Sequence, residues 1–263
     1  MADIDSSLLL FCKHTKQEAS VALSGECADE IFGGYPWFFR EDALRSKTFP
    51  WSIALDEREK LLHPDISKKI NLKQYIDFRY RESLNEIETL STDTKETKNA
   101  RKIFHLTLNW FMQTLLDRTD RMATYTGMEV RVPFCDYKLA EYVINIPWEM
   151  KAYEGREKGL LRHIMKDMLP EEIIYRKKSP YPKTHNPNYL DKVKKILTEI
   201  VVNKDAPINN ILNREYILEI LNTDGKSFTR PWFGQLMTGP QLMAYIAQVN
   251  MWLEEYNPKI IIS

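Results

Sequence analysis

Residues 20–35 read Ser20-Val21-Ala22-Leu23-Ser24-Gly25-Glu26-Cys27-Ala28-Asp29-Glu30-Ile31-Phe32-Gly33-Gly34-Tyr35. The small apolar run 20–23 predicts a short buried strand, because it leads directly into a Ser-Gly turn. Residues 27–32 then suit one or two helical turns that end at the glycine pair. The stretch therefore predicts a strand, a turn and a short helix in immediate succession.

Helical patterns dominate the remainder of the sequence. Residues 94–117 place apolar side chains on one face at helical spacing, which predicts a central core helix. Further helical segments are predicted at 5–14, 55–62, 72–87, 118–126, 137–145, 158–168, 190–202, 214–222 and 240–252. Three prolines and several cations in residues 176–188 predict a surface loop. No repeat or linker divides the sequence, so we predict one mainly helical domain, residues 1–263.

Composition narrows the class of protein. The 37 Lys and Arg residues balance 37 Asp and Glu residues, so no net charge attracts the chain to nucleic acid or to an anionic membrane. Three widely spaced cysteines argue against a disulfide framework or a zinc site. No segment has the roughly 20 apolar residues of a membrane span, and the acidic start is unlike a signal peptide. We therefore predict a soluble, cytoplasmic protein with no metal site.

Two carboxylates follow the predicted strand. Glu26 and Asp29 lie three residues apart at the start of the short helix, where free backbone N–H groups can hold them or an anion. Carboxylates in this position can bind an ammonium group of a ligand. The alternative is that both acids only cap the helix, since its first turn commonly favours acidic residues. The residues alone favour this second, structural interpretation.

A cluster of cations lies later in the sequence. It comprises Arg156, Lys158, Arg162, His163, Lys166, Arg176, Lys177, Lys178 and Lys183. Lys158 follows Gly155 at a predicted helix start, from which its charge can reach phosphate oxygens. The alternative is a solvated basic surface, which is the commoner outcome for a stretch selected only by charge.

A third group alternates acids and arginines around apolar residues. It covers residues 117–122 and 128–136 and includes Arg118 and Arg131. Because buried charges are normally paired, the pattern predicts buried or half-buried ion pairs that fix a junction between a helix and a loop. We favour a structural role for this group.

Taken together, the three groups resemble the family of glutamine-hydrolysing asparagine synthetases. The synthetase domain of that family carries SGEGxDExFGGY, a segment like DRxxMxxGxExRxPFxD, GxxKxxLR and RxK. The corresponding residues occur here in the same order, at 24–35, 117–136, 155–162 and 176–178.

The resemblance implies a fold. The chain is then mainly α and forms the carboxy-terminal helical part of an α/β ATP-pyrophosphatase domain. Residues 1–40 are a remnant of the nucleotide-binding layer, with at most a remnant of the parallel sheet near Val21–Leu23. Residues 41–263 are the helical part of the same single domain.

The resemblance also implies a chemistry. The family uses ATP and Mg²⁺ to activate the side-chain carboxylate of aspartate as an acyl-adenylate. Ammonia from a glutaminase domain then gives asparagine, AMP and pyrophosphate. By position, the implied catalytic residues are Glu26 and Lys158, and the implied substrate-binding residues are Ser24, Gly25 and Asp29.

Each implied role follows from the motif position. Glu26 lies near the incoming ammonia, and Asp29 holds the amino group of aspartate. Lys158 neutralises negative charge that builds on the leaving pyrophosphate. Lys178, on the phosphate side, closes over the site together with the loop that follows it.

Three departures separate this sequence from the family pattern. The loop SGGxDSS, which cradles pyrophosphate, is not found, and residues 5–9 imitate its end only by accident. Ala2 stands where the glutaminase has its cysteine. Cys27 replaces a glycine that is common in the family. We therefore expect a truncated synthetase domain that does not turn over by itself.

Two alternatives stay open. Relatives of the same fold close β-lactam rings, cyclise peptides or amidate cell-envelope precursors by the same adenylation. The second alternative is a helical binding module that carries out no chemistry. It would be favoured if Glu26, Asp29 and Lys158 were scattered over the surface. The sheet edge near Val21 also offers a surface for a homodimer.

Overall fold

The computed structural model describes residues 4–52, 54–178, 186–229 and 238–261. The chain divides into two compact units. The first consists of Met1–Ser6, Trp51–Phe78 and Pro180–Ser263, and the second of Ser7–Pro50 and Arg79–Ser179. The prediction of a single domain, with its internal boundary after residue 40, stays a prediction.

Helices dominate the described residues. In chain order the α-helices are Ile4–Glu18 (α1), Ala28–Phe32 (α2), Glu41–Arg45 (α3), Leu55–Glu59 (α4), Pro64–Ile70 (α5), Leu72–Asn85 (α6), Lys95–Leu106 (α7), Gln113–Tyr125 (α8), Tyr137–Ile144 (α9), Trp148–Lys151 (α10), Gly159–Ile164 (α11), Glu171–Ile174 (α12), Pro187–Val202 (α13), Arg214–Asn222 (α14) and Gly239–Tyr256 (α15). Short 3₁₀ helices occupy Pro36–Phe38, Pro133–Cys135, Tyr153–Gly155 and Pro207–Asn210. The predicted mainly α class is confirmed. None of the helices within the described ranges combines the length and the apolar character that a bilayer crossing requires.

A two-stranded parallel sheet accompanies the helices. Val21–Leu23 (β1) pairs in register with Glu129–Arg131 (β2), residue for residue. β1 lies where the sequence predicts a remnant of a parallel sheet, and this prediction is confirmed. The predicted burial of the strand is wrong, because Val21 and Leu23 are 41% and 75% exposed. The sequence pattern does not reveal β2, because a three-residue strand with two charged side chains shows no recognisable period.

The predicted core helix at 94–117 belongs to a longer helical run. α7 continues into a π-helix at Thr107–Met112, and α8 follows without a break. Thr94 begins the run, since its hydroxyl accepts a hydrogen bond from the Thr97 N–H at 3.2 Å. The predicted helix boundary near residue 118 is therefore wrong, because no residue in this stretch interrupts helical geometry.

The first unit is built around α13 and α15. Leu197, Ile217 and Leu242 are completely buried in its apolar core. At the start of α15 a Cβ on Gly239 would lie 2.4 Å from the Gly225 oxygen, so this close approach requires glycine. The residues predicted to form the functional site all lie in the second unit.

The second unit packs α2 against its longer helices. Ile31 and Phe32 of α2 are buried together with Val143 of α9, and the Phe134 ring meets the Phe32 ring edge-on at 6.2 Å between centroids. This packing fixes the short helix that carries Asp29.

Candidate functional site

The strand pair fixes the start of the turn that carries Glu26 and Asp29. Directly after β1, the Ser24 N–H donates to the Arg131 carbonyl at 2.8 Å. The Ser24 hydroxyl accepts from the Glu26 N–H at 3.3 Å. Cys27 then takes a φ of 75°, a left-handed conformation that is uncommon outside glycine, and α2 begins at the next residue.

Asp29 is bound by two lysines from distant parts of the sequence. Lys158 Nζ lies 2.7 Å from Asp29 Oδ1, within ion-pair distance although poorly aligned for a hydrogen bond. Lys178 Nζ donates to Asp29 Oδ2 at 2.7 Å and to the Gly34 carbonyl at 2.9 Å. Burial of Asp29 opposes its charge, but the two ammonium groups outweigh burial and hold the pKa of this carboxyl below its ordinary value.

The glycine pair after α2 lets the Asp29 carboxylate lie against the backbone. Gly33 ends the helix with a φ of 74°, and the Gly34 N–H donates to the Asp29 carbonyl at 2.8 Å. A Cβ on Gly34 would lie 1.8 Å from Asp29 Oδ1, so a side chain does not fit there. The pair therefore ends the helix, as predicted, and also makes room for the carboxylate.

Lys158 projects from an unusual backbone conformation. Glu154, Gly155 and Lys158 have φ angles of 58°, 66° and 53°. A Cβ on Gly159, the first residue of α11, would lie 2.2 Å from the Tyr153 oxygen. Positive φ at a lysine is a strained arrangement, and such strain is found most often at functional sites.

Glu26 has a different set of partners from Asp29. Its Oε1 accepts from the Thr119 hydroxyl at 2.7 Å and from the Arg118 guanidinium at 3.4 Å. Its Oε2 is buried without a hydrogen-bond partner among the described residues. The structure therefore brings Lys158 to Asp29, and it brings Arg118 and Thr119 to Glu26.

The alternating acids and arginines are paired, but partly at the protein surface. Two ion pairs have side chains that are more than half exposed, namely Arg121 with Asp117 at 2.8 Å and Arg131 with Glu129 at 2.7 Å. The predicted burial is wrong for these two pairs. Arg118 is the half-buried member of the group, and it reaches the site through Glu26.

Buried Glu30 and half-buried Tyr35 form a hydrogen-bonded pair beside Asp29 that sequence reasoning missed. The Tyr35 hydroxyl donates to Glu30 Oε1 at 2.5 Å, and Glu30 is 1% exposed. Burial raises the pKa of the Glu30 carboxyl, and burial together with Glu30 raises the pKa of the Tyr35 hydroxyl. Lys178 Nζ lies 4.0 Å from the centroid of the Tyr35 ring, a cation–π contact, and Trp37 stacks on that ring at 4.3 Å. The sequence feature that could have identified Glu30 and Tyr35 was their position inside the motif at residues 24–35.

A cavity of about 470 Å³ opens beside Asp29. Its charged lining comprises Asp29, Lys158, Arg162, Arg176, Lys177 and Lys178. Phe134 and Leu161 contribute to an apolar wall. The volume suits a small molecule, and the excess of cations over acids favours a ligand with negative charge.

Arg162 builds the wall of this cavity. Its Nε donates to the Glu157 carbonyl at 2.9 Å, and its Nη1 donates to the carbonyls of Ile174 and Arg176. The guanidinium also pairs with the Glu157 carboxylate at 3.5 Å. Because these donors bind protein atoms, Arg162 holds the segment before Lys178 in place.

Other predicted residues have a less direct place in the site. Ser24 and Gly25 shape the turn, and neither they nor Glu26 line the cavity beside Asp29. Asp29 and Lys158 share this cavity, whereas Glu26 lies outside its lining. A Cβ on Gly25 would meet no atom within 4 Å. Lys183 and the rest of the loop at 179–185 lie outside the described residues. The substrate-binding roles of Ser24 and Gly25, and closure of the loop after Lys178, stay predictions.

Comparison with known proteins assigns the chain to a family. The family model described as asparagine synthase matches residues 1–254. The chain is 52% identical over 256 residues to asparagine synthetase (glutamine-hydrolyzing) 3 of Bacillus subtilis (strain 168), which covers 97% of this chain and 41% of that protein. It is 24% identical over 248 residues to asparagine synthetase (glutamine-hydrolyzing) 1 of the same organism, and this match covers 81% of this chain and 38% of that protein.

A shorter match joins the chain to an animal protein. The chain is 39% identical to human asparagine synthetase (glutamine-hydrolyzing) over 67 residues, which cover 24% of this chain and 12% of that protein. The chain thus spans less than half the length of these curated relatives. Since the family model covers nearly all of its residues, the chain belongs to the asparagine synthase family.

Proposed function

We propose that this chain binds aspartate and the phosphates of ATP in a reaction that forms asparagine. One observation carries the proposal: the Asp29 carboxylate lies between the ammonium groups of Lys158 and Lys178 at the wall of a cavity of small-molecule size. Such a site offers an anion to an amino group and cations to phosphate oxygens. The relatives are named asparagine synthetases. Aspartate is the amino acid that gives asparagine when its side-chain carboxylate becomes an amide.

Asp29 binds the α-ammonium group of aspartate. Its depressed pKa keeps the carboxylate charged at neutral pH. In the free chain both of its oxygens face lysines, so the substrate ammonium takes the place of at least one of them. A lysine released in this way is free to turn toward phosphate, since its charge sits at the end of a flexible chain.

The lysines serve the adenylation step. An oxygen of the aspartate β-carboxylate attacks the α-phosphorus of ATP, and the bond from that phosphorus to pyrophosphate breaks. Negative charge then grows on the leaving pyrophosphate, and Lys158 stabilises it, with Lys178 as a second cation. Both ammonium groups are only partly exposed, which strengthens this interaction relative to open solvent.

Glu26 serves the amide-forming step. Ammonia attacks the acyl carbon, and the bond to AMP breaks. The relatives are named as glutamine-hydrolyzing, and glutamine hydrolysis releases ammonia. The nitrogen must lose a proton in this step. Thr119 and Arg118 hold Oε1 of Glu26, which leaves Oε2 to accept an N–H of the ammonia.

ATP enters as a substrate, with Mg²⁺ on its phosphates by resemblance to the family. Within the described ranges, no three His, Cys, Asp or Glu side chains are grouped so that they can hold a metal ion. We therefore assign no residue of this chain to Mg²⁺. A cytoplasmic location and a homodimer that pairs near Val21 stay predictions.

A pair of ligands tests the role of Asp29. The first is an acyl-sulfamate analogue of β-aspartyl-adenylate, and the second is the same molecule without its α-amino group. We expect the chain to bind the first analogue more tightly in calorimetric titrations. Asp29→Asn should weaken the first by roughly 10- to 100-fold, the range for a hydrogen bond to a charged group, and the second by much less.

Asp117→Asn is the matched control, because Asp117 is an exposed acid of the same unit that does not line the cavity. It should leave the affinity for both analogues unchanged. Equal weakening of both analogues by Asp29→Asn would show that Asp29 does not hold the amino group. Failure of the unmodified chain to bind either analogue would overturn the proposed adenylate site.

A further inference from the structure

Two of the three cysteines lie on neighbouring segments beside the turn that carries Glu26 and Asp29. Cys27 lies just before α2, and Cys135 ends the 3₁₀ helix that follows β2. Because β1 and β2 run parallel and in register, the two chain segments leave the sheet side by side. Each cysteine lies four residues beyond one of the paired strand ends, Leu23 and Arg131, so the two thiols occupy equivalent positions on neighbouring segments.

The two thiols differ in access to solvent. Cys27 is 1% exposed, whereas Cys135 is half-buried. Burial, followed by the neighbouring Cys135 thiol, raises the pKa of the Cys27 thiol. Cys135 is therefore the thiol that an external oxidant meets first, and Cys27 lies behind it as the resolving partner.

Cys27 also has an unusual backbone conformation. Its φ of 75° lies in the region that glycine occupies most readily, and glycine is common at this position in the resembling family. Cys27 occupies this conformation next to the segment that carries a second cysteine. Cys12, by contrast, is buried in a separate apolar cluster with Ala123 and Met128.

We propose that Cys27 and Cys135 are a reversible thiol–disulfide site, oxidised by hydrogen peroxide, that ties the acid-bearing turn to the segment after β2. The Cys135 thiolate attacks one peroxide oxygen, the O–O bond breaks, and water leaves, so that Cys135 becomes a sulfenic acid. The Cys27 sulfur then attacks the Cys135 sulfur. The S–S bond forms, the S–O bond breaks, and the departing hydroxide leaves as a second water with the Cys27 proton. Two electrons pass from the thiols to the peroxide.

Peptide mapping tests this site on the whole chain. Trypsin places Cys27 in peptide 17–40, Cys135 in peptide 132–138 and Cys12 in peptide 1–13. After hydrogen peroxide, alkylation and digestion without reductant, we expect a cross-linked 17–40/132–138 species that dithiothreitol reverses. Cys12→Ser is the matched control and should keep this species.

A second experiment tests the order in which the two cysteines react. In Cys27→Ser, dimedone should label the Cys135 sulfenic acid, whereas in Cys135→Ser it should leave Cys27 unlabelled. The proposal is overturned by a cross-link through Cys12, by a disulfide-linked dimer, or by over-oxidation of Cys135 while Cys27 stays free. The mapping of the unmodified chain decides this even where a variant folds poorly. None of these outcomes depends on asparagine formation, so the proposal stands or falls independently of the proposed function.

Discussion

Replacing Gly34 with alanine should disrupt the Asp29 site through a single methyl group. The new Cβ would lie 1.8 Å from Asp29 Oδ1, whereas non-bonded heavy atoms normally stay about 3.5 Å apart or more. The Asp29 carboxylate must therefore move by well over an ångström, which separates it from Lys158 and Lys178. Gly34 does not have a positive φ, so the expected cost is steric and not conformational.

The contacts set the size of the effect. Overpacking of a well-filled site costs about 1–3 kcal/mol. The Asp29 side chain is 23% exposed and both lysines are 26% exposed, so each lost ion pair adds at most about 1 kcal/mol after solvent screening. We expect a total loss of about 1–5 kcal/mol in the free energy of unfolding. For a unit of this size that lowers the midpoint of thermal unfolding by roughly 3–20 °C.

The pKa of Asp29 supplies an independent readout of the same change. Burial raises this pKa and the two lysines lower it, so displacement from the lysines should raise it in Gly34→Ala. A depressed folded-state pKa stabilises the protein above the unfolded-state pKa, and this stability is lost as the pH falls through the folded value. The stability difference between the two proteins should therefore shrink in acid.

Thermal unfolding monitored by circular dichroism, with carboxyl ¹³C titration of Asp29, measures both effects. Gly25→Ala is the matched control for stability, because its Cβ would meet no atom within 4 Å and its φ is not positive. It should change the unfolding free energy by less than about 1 kcal/mol. The steric reasoning fails if Gly34→Ala unfolds at the wild-type temperature and keeps a depressed Asp29 pKa.

Three further substitutions probe the second unit. Lys151 is 1% exposed, and burial followed by repulsion from Arg101 lowers its pKa to about 7. Between pH 7 and the ordinary lysine pKa the unfolded chain binds more protons than the folded chain. Relative to Lys151→Met, the free energy of unfolding of the wild type should therefore rise by about 3 kcal/mol between urea titrations at pH 6.5 and 9.5. Tyr35→Phe leaves the buried Glu30 without its 2.5 Å donor and should cost about 1–3 kcal/mol in the same titrations, whereas an unchanged midpoint would contradict that role. Arg162→Gln removes hydrogen bonds to the backbone carbonyls of Ile174 and Arg176. Amide hydrogen exchange should therefore become faster in residues 171–178 and stay unchanged in α8. Unaltered exchange in residues 171–178 would show that the guanidinium does not hold this segment.

Much of the local structure was readable from the sequence. Helical periodicity predicted the core helix at 94–117, and small apolar residues before Ser-Gly predicted β1. Both signals are local, because each lies within one continuous stretch of sequence. The glycine pair likewise predicted the end of α2. β2 escaped prediction, since a strand of three residues is defined by its pairing partner and not by its own pattern.

The sequence by itself determined the motif residues, the helical class and the presence of two acids and a later group of cations. Only the tertiary structure decided which charges meet: Lys158 and Lys178 both contact Asp29, the latter across 149 residues, while Glu26 contacts Arg118 and Thr119. The physical reason is that the sequence shows which charged groups are present, and buried charges must be paired. Which partner lies within about 3 Å depends on how the turns, the strand register and the helix packing fold distant segments together.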